Sequence, residues 1–235
     1  MSSQPNVCDM SDALRREHGG EGLTESDLAA TPWDQARAWV DDAVHRSVER
    51  DDVPEPLAMS VATIDAAGRP DVRTVLMRFF DPVGPGFVTN LESAKGVQIA
   101  GNPGVAASLV WPAMYRSIRF RGTAQQLGRS EVERYFVERP WGSRISAWAS
   151  RQSQVVEDRS GLEQAYERYA DRWPDLGGPT DVPVPDFWGG YRITCGEVEF
   201  WAGRSDRLHD RLAFVRVGEG ALDDAGAWRL ERRQP

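Results

Sequence analysis

Short runs rich in β-branched and aromatic residues recur along the chain, and several alternate apolar and polar positions with the period of two that half-buries a strand. They predict strands over residues 58–65, 71–80 and 86–89, a meander broken by Ala66-Ala67-Gly68-Arg69 and by the glycine and proline of 81–85. Two further strands are predicted over 105–111 and 117–126, and closing strands over 190–193, 198–202, 212–217 and 228–230. Helical signals lie between them. Thr31-Pro32-Trp33-Asp34 starts a helix running to about Ser47, with a threonine cap, proline at the first position and an acid in the first turn. Ser93 caps a short helix ended by Asn102-Pro103-Gly104, and Ser130-Glu131-Val132-Glu133 has the form of a capping box for a helix over 131–138. One more helix is predicted over 162–172, followed by a glycine- and proline-rich loop over 177–186. Consecutive short strands with few intervening helices favour a mainly β, α+β architecture built on an antiparallel barrel.

The first 25 residues read as a flexible polar segment carrying the basic patch Arg15-Arg16-Glu17-His18, ahead of a single domain over 26–235. No uncharged apolar stretch approaches the roughly 20 residues of a membrane span. Residues 1–10 are polar with an acid and lack the form of a secretory signal, which points to the cytoplasm. Two cysteines, Cys8 and Cys195, are too few for a disulfide framework or a zinc cluster, and no metal site is expected. A net charge of −8 opposes any broad attraction to nucleic acid or acidic membrane, so an anion site must be built locally from arginines and lysines. Neither a GxGxxG nor a GxxxxGK[ST] motif occurs.

Four clusters could form such a site. In Arg207-Leu208-His209-Asp210-Arg211 an extended backbone would place two guanidinium groups and an imidazole on one face, suited to an anionic ring ligand or to a solvated strand edge with a surface ion pair. Ser117, Arg119 and Arg121 share a strand face opposite Ile118 and Phe120, as a polar pocket wall or as ordinary amphipathic alternation. Arg73 and Arg78 bracket an apolar strand and, five residues apart, would face opposite sides unless a bulge lies between them. Tyr135, Arg139 and Ser143 recur at intervals of four: Tyr135 and Arg139 share a helix face, Pro140 ends the helix, and the three suit a phosphate or simple helix packing. Nine tryptophans are many for 235 residues; Trp201, close to the Arg-His-Arg segment, could flank a flat ring system.

Taken together and in order, Arg73-Thr74-Val75-Leu76, Thr89-Asn90-Leu91, Ser93-Ala94-Lys95, Arg139-Pro140, Trp148-Ala149-Ser150-Arg151-Gln152-Ser153, Phe187-Trp188-Gly189-Gly190-Tyr191-Arg192, Glu199-Phe200-Trp201 and Arg207-Leu208-His209-Asp210-Arg211 resemble the pyridoxine (pyridoxamine) 5'-phosphate oxidase family over nearly the whole chain. The resemblance implies an antiparallel split β-barrel with peripheral helices, a homodimer with FMN at the subunit interface, and oxidation of pyridoxine or pyridoxamine 5'-phosphate by oxygen with release of hydrogen peroxide. It further implies that Arg73, Thr74, Val75, Leu76, Met77, Arg78, Val88, Thr89, Lys95, Ser117, Gln152, Ser153, Trp201 and Arg211 bind FMN. Tyr135, Arg139 and Ser143, with Arg78, would hold the substrate phosphate, and Arg207, Leu208 and His209 would meet the pyridine ring, Arg207 and His209 as the catalytic pair. Arg15, Arg16, Glu17 and His18 resemble a segment that closes over substrate.

The chain departs from the family pattern at Arg78, where lysine is usual, at Ser117 for glutamine, at Ala94 for arginine and at His18 for tyrosine. Two other readings stay open: a flavin oxidase of the same fold acting on a phenazine-type substrate, and a non-catalytic flavin or pyridoxal-phosphate binding protein.

Overall fold

The computed structural model describes residues 19–235. Its elements are α1 (Pro32–Glu49), β1 (Ala58–Ile64), β2 (Pro70–Leu76), β3 (Phe79–Asp81), β4 (Gly84–Asn90), α2 (Ala94–Gly101), β5 (Gly104–Trp111), β6 (Arg116–Gln126), α3 (Arg129–Glu138), α4 (Trp141–Ala149), α5 (Arg159–Arg172), β7 (Trp188–Ala202), β8 (Asp210–Arg216) and β9 (Trp228–Arg232). Every strand pairing is antiparallel, along the path β2-β1-β5-β6-β7-β4-β3, with β8 on β7 and β9 on β8.

β2 and β3 stand at opposite ends of that path, yet only Met77 and Arg78 separate them in the chain. The sheet must therefore curl until its ends approach, which is the geometry of a barrel left open along one seam. At the seam the backbone changes partner: the Met77 N–H donates to the Leu57 carbonyl at 2.9 Å and the Arg78 N–H to the Gly86 carbonyl at 2.8 Å. The single strand expected over 71–80 is thus two: its first half pairs with β1 and its second half with β4, as the expected meander requires, but the break between them sends β3 and β4 to the far end of the sheet beside β7.

β7 is the backbone of the sheet. The two strands expected over 190–193 and 198–202 are one of 15 residues, paired along β6, with β4 against its first half and β8 against its second. A bulge at Arg121/Gly122 lets two twisted strands stay paired over this length. Alternation holds on β6, where Ile118 and Phe120 are fully buried while Ser117, Arg119 and Arg121 point outward.

The barrel interior is filled by Met59, Val61, Phe87, Leu109, Trp111, Ile193, Phe200 and Leu212, and α1 closes it with Trp39 edge-on to Phe200 at 5.4 Å. A second apolar cluster, including Val132, Phe136, Ile145 and Trp188, joins α3 and α4 to the sheet. No helix among the described residues is long and apolar enough to cross a membrane.

Two helical expectations change. α3 begins at Arg129 with Gly128 as its cap, and Glu133 pairs with the Arg129 side chain at 2.8 Å, so the capping box at Ser130 does not form. Residues 141–149, for which no element was expected, are helical: Pro140 forbids continuation of α3 and serves as the cap of α4.

Gly84 has φ +144, and an added Cβ would run into the Ile193 carbonyl oxygen. Gly84→Ala should destabilise the protein by more than about 1 kcal/mol, read as a lowered urea midpoint at unchanged slope.

Candidate active site

The seam of the barrel opens into a cleft of about 800 Å³. Its wall contains Arg73, Thr74, Val75, Leu76 and Arg78 from β2 and the corner, Val88 and Thr89 from β4, Lys95 from α2, and Gln152. Tyr135, Glu138, Arg139, Pro140 and Ser143 line the same cleft from α3 and the start of α4, with Trp188 at the head of β7. The two-residue break at Met77 and Arg78 explains how Arg73 and Arg78 reach one cavity, since it removes the strict alternation that would set them on opposite faces. Met77 itself is buried in the core, and Ser153, exposed with φ +72, is not part of the cleft wall.

Tyr135 and Arg139 do not share a helix face. α3 ends at Glu138 and Arg139 is extended, with ψ 146, as the residue before a proline prefers. Its guanidinium instead lies over the Trp188 ring at 4.5 Å and near Phe136 at 5.7 Å, and its buried Nη1 has no hydrogen-bond partner.

Positive charge in the cleft is crowded and poorly neutralised. Lys95 Nζ is buried and donates only to neutral oxygens, Gln152 Oε1 at 2.9 Å, Thr89 Oγ1 at 3.2 Å and Ser93 Oγ at 3.4 Å. Burial, reinforced by the nearby Arg73 charge, holds its pKa below the usual lysine value. Burial likewise lowers Arg139, with Tyr135 opposing and Arg78 adding to the effect. Among the described residues, Arg78, Lys95 and Arg139 form no salt bridge, and Glu138 is the one carboxylate in the cleft wall. Arg73 is held by Asp71 at 2.6 Å and by Thr63 and Gln98. Lys95 and Arg73, and Arg139 and Arg78, are thus like-charged neighbours facing one cavity, with Asp71 offsetting the charge of the first pair only.

A second group of expected site residues lies elsewhere. Ser117, Trp201 and Arg211 are cross-strand neighbours on β6, β7 and β8, beside an apolar depression of about 890 Å³ that Ser117 and Trp201 help to line. His209 packs on Trp201 at 4.8 Å, and its Nδ1 accepts the Arg204 N–H at 3.1 Å. The segment is not extended as expected: residues 205–207 form a 3-10 turn, Arg207 has φ +62, and Arg207 and Leu208 are exposed while Arg211 has entered β8. Arg207, His209 and Arg211 thus do not share a strand face. Arg211 is held by the buried Glu199 through both carboxylate oxygens, within a network that adds Arg119, Arg233 and Glu197. The signal for this network is visible in the chain, as carboxylates at 197 and 199 opposite arginines at 121 and 119. Trp188, which lines the first group, and Trp201 in the second stand near opposite ends of β7, about 40 Å apart along the strand.

Residues 48–172 match the family model described as pyridoxamine 5'-phosphate oxidase, and residues 188–235 match that of the pyridoxine 5'-phosphate oxidase C-terminal dimerisation region. The pyridoxine/pyridoxamine 5'-phosphate oxidase of Kineococcus radiotolerans is 46% identical over 94% of this chain and 97% of its own. The chain belongs to the pyridoxine/pyridoxamine 5'-phosphate oxidase family. The like-named protein of Streptomyces avermitilis is 44% identical over 95% of both chains. Among solved structures, PhzG from Burkholderia lata, in complex with tetrahydrophenazine-1-carboxylic acid, superposes with TM-score 0.78 at 28% identity over 92% of this chain and all of its own. A pyridoxamine 5'-phosphate oxidase-related FMN-binding protein from Nostoc punctiforme shares the fold, with TM-score 0.64 at 19% identity over 88% of this chain and all of its own. In this member of the oxidase family, the first group of site residues falls largely within the region 48–172, and Trp201 to Arg211 fall within the dimerisation region.

Arg15, Arg16, Glu17 and His18 lie outside the described residues. The chain just after them is tied to the Arg-His-Arg segment through Asp210. This buried carboxylate accepts from the Leu23 N–H at 2.8 Å, from Arg232 at 2.6 Å and from the Arg204 guanidinium. Arg232 also holds Glu25 at 2.7 Å. Burial alone would raise the Asp210 pKa, but the Leu23, Arg232 and Arg204 donors outweigh it and the net shift is downward.

A depressed carboxylate contributes stability above its unfolded value and loses it as pH falls through its folded one. Asp210→Asn should therefore lower stability by roughly 1–3 kcal/mol near pH 7. The gap from wild type should narrow below about pH 4 in thermal melts.

Proposed function

We propose that the protein is a cytoplasmic, homodimeric, FMN-dependent oxidase that converts pyridoxine 5'-phosphate and pyridoxamine 5'-phosphate to pyridoxal 5'-phosphate. Oxygen is the acceptor, hydrogen peroxide a product, and ammonia a second product from the amine. The observation that carries this reading is one cleft that gathers Arg73, Arg78, Lys95 and Arg139, the last three in no salt bridge among the described residues, which suits two phosphate esters side by side. The Lys95 end fits the FMN phosphate: a buried ammonium bonded only to neutral oxygens lacks the counter-charge that a phosphate brings. Arg73, Thr89, Lys95 and Gln152 would hold that group. Arg78, Tyr135, Arg139 and Ser143 would hold the phosphate of the vitamer.

When bound, FMN supplies the hydride acceptor and the route for electrons to oxygen. The chain's own residues orient the substrate and manage its protons. The Nδ1 of His209 accepts the Arg204 N–H, so in the neutral imidazole the proton sits on Nε2. Trp201, Arg207, His209 and Arg211 cannot reach the cleft of their own chain from the far end of β7, but they lie in the dimerisation region. The reading therefore has each site built from both protomers, with FMN between them. The fold shared with a phenazine-binding protein makes a phenazine-type substrate the rival, and the Tyr135, Arg139 and Ser143 cluster favours a phosphorylated one.

Three outcomes are expected. Lys95→Met should weaken FMN binding roughly tenfold or more, followed by the change in flavin fluorescence on titrating apoprotein. Arg139→Ala should mainly raise KM for pyridoxine 5'-phosphate, by about tenfold or more, whereas Arg207→Ala should mainly lower kcat. Co-expressing these two variants should restore about a quarter of wild-type activity, because half the dimers are mixed and each mixed dimer regains one intact site. Unchanged steady-state constants in both variants would refute the assignments, and no restoration on mixing would refute a shared site.

A further inference from the structure

Among the described residues, the indole N–H of Trp188 and the Nη1 of Arg139 are both buried and both without an acceptor, and both residues line the same cleft. Buried donors of this kind are rare in folded proteins, because each forfeits its bond to water without replacement. Neither group can accept a hydrogen bond, so a partner for either must supply an acceptor atom, as phosphate oxygens do. Glu138 is the single carboxylate in the cleft wall and bonds to neither.

Trp188 is also held still. It is 8% exposed, its backbone is paired with Asn90 at the start of β7, and its ring lies edge-on to Phe136 at 6.0 Å. The Arg139 guanidinium lies over that ring at 4.5 Å. A stack of this kind fixes the plane of the guanidinium while leaving its edge available for hydrogen bonds. Tyr135 and Ser143 bring two hydroxyls to the same part of the cleft.

We infer that Trp188 is a substrate-binding residue whose indole N–H, together with Nη1 of Arg139, clamps the phosphate ester of the vitamer, while its ring face holds the Arg139 guanidinium in place. The inference rests on the reading of this cleft as a phosphate site. It assigns a specificity role to a residue whose size and burial otherwise read as core packing.

The test compares Trp188→Phe, which keeps an aromatic face under Arg139 but removes the N–H, with Arg139→Ala in the FMN-loaded enzyme. Trp188→Phe should raise KM for pyridoxine 5'-phosphate and the calorimetric Kd for pyridoxal 5'-phosphate roughly tenfold, with a much smaller change in kcat. Its flavin spectrum should match wild type, its melting temperature should fall only by the few degrees that a smaller core ring costs, and its weak binding of unphosphorylated pyridoxal should not change. If Trp188→Phe binds pyridoxal 5'-phosphate like wild type while Arg139→Ala does not, the role of Trp188 is overturned and the phosphate cleft stands. If neither variant loses affinity, the phosphate cleft itself is wrong. A readout independent of any variant's folding uses wild-type holoenzyme labelled with 15N at its indole nitrogens. Inorganic phosphate should shift one indole N–H resonance that pyridoxal leaves in place, and a spectrum with no such response would overturn the inference.

Discussion

The two-residue passage from β2 to β3 is the constraint on which the rest of the molecule depends. A chain that leaves the sheet at one end of its path and re-enters at the other after Met77 and Arg78 leaves the sheet no choice but to curl. The curl creates the seam, and the seam is where backbone alternation lapses, so that Arg73 and Arg78 come to line one cavity. Lys95 is delivered to that cavity by α2, which starts beside it after the Ser93 cap, and Arg139 reaches it as the extended residue between the end of α3 and Pro140.

An acidic protein thus carries an interior concentration of positive charge. The net charge of −8 repels polyanions in general, while the cleft locally gathers Arg73, Arg78, Lys95 and Arg139 with Glu138 as the one carboxylate of its wall among the described residues. Elsewhere the same residue type is used in the opposite way. Arg119, Arg211 and Arg233 are neutralised by Glu197 and Glu199, and Arg204 and Arg232 by Asp210, so these arginines brace strands β6 to β9 and the entering chain at Leu23. Arg78 and Arg139 differ from these in forming no salt bridge among the described residues.

Arg211 sits between these roles. Its bidentate pairing with the buried Glu199 orients it beside Trp201 and opposite Ser117, on the face carried by the dimerisation region. Glu199 therefore fixes the direction of Arg211 on that face, and the Asp210 cluster ties the turn that bears Arg207 and His209 to the entering chain at Leu23.

By itself the sequence determined the element types, because period-two runs and capping residues act within a few positions of the chain. Thr31 and Ser93 cap their helices as read, and Ile118 and Phe120 face the core as their spacing requires. It also determined the family, since the motifs from Arg73 to Arg211 keep their order over most of the chain. Long-range pairing was not legible locally: that β4 turns to β7, that β7 is one strand of 15 residues, and that Arg207 lies in a turn and not on a strand face. Most of the cleft lining was named from the motifs, but the place of Trp188 in it was decided by tertiary structure, because Trp188 and Arg139 are 49 residues apart and become one stack only when Pro140 breaks the helix and the barrel closes against it. Local sequence sets what each residue prefers; which donors end in one cavity without an acceptor depends on how distant strands meet.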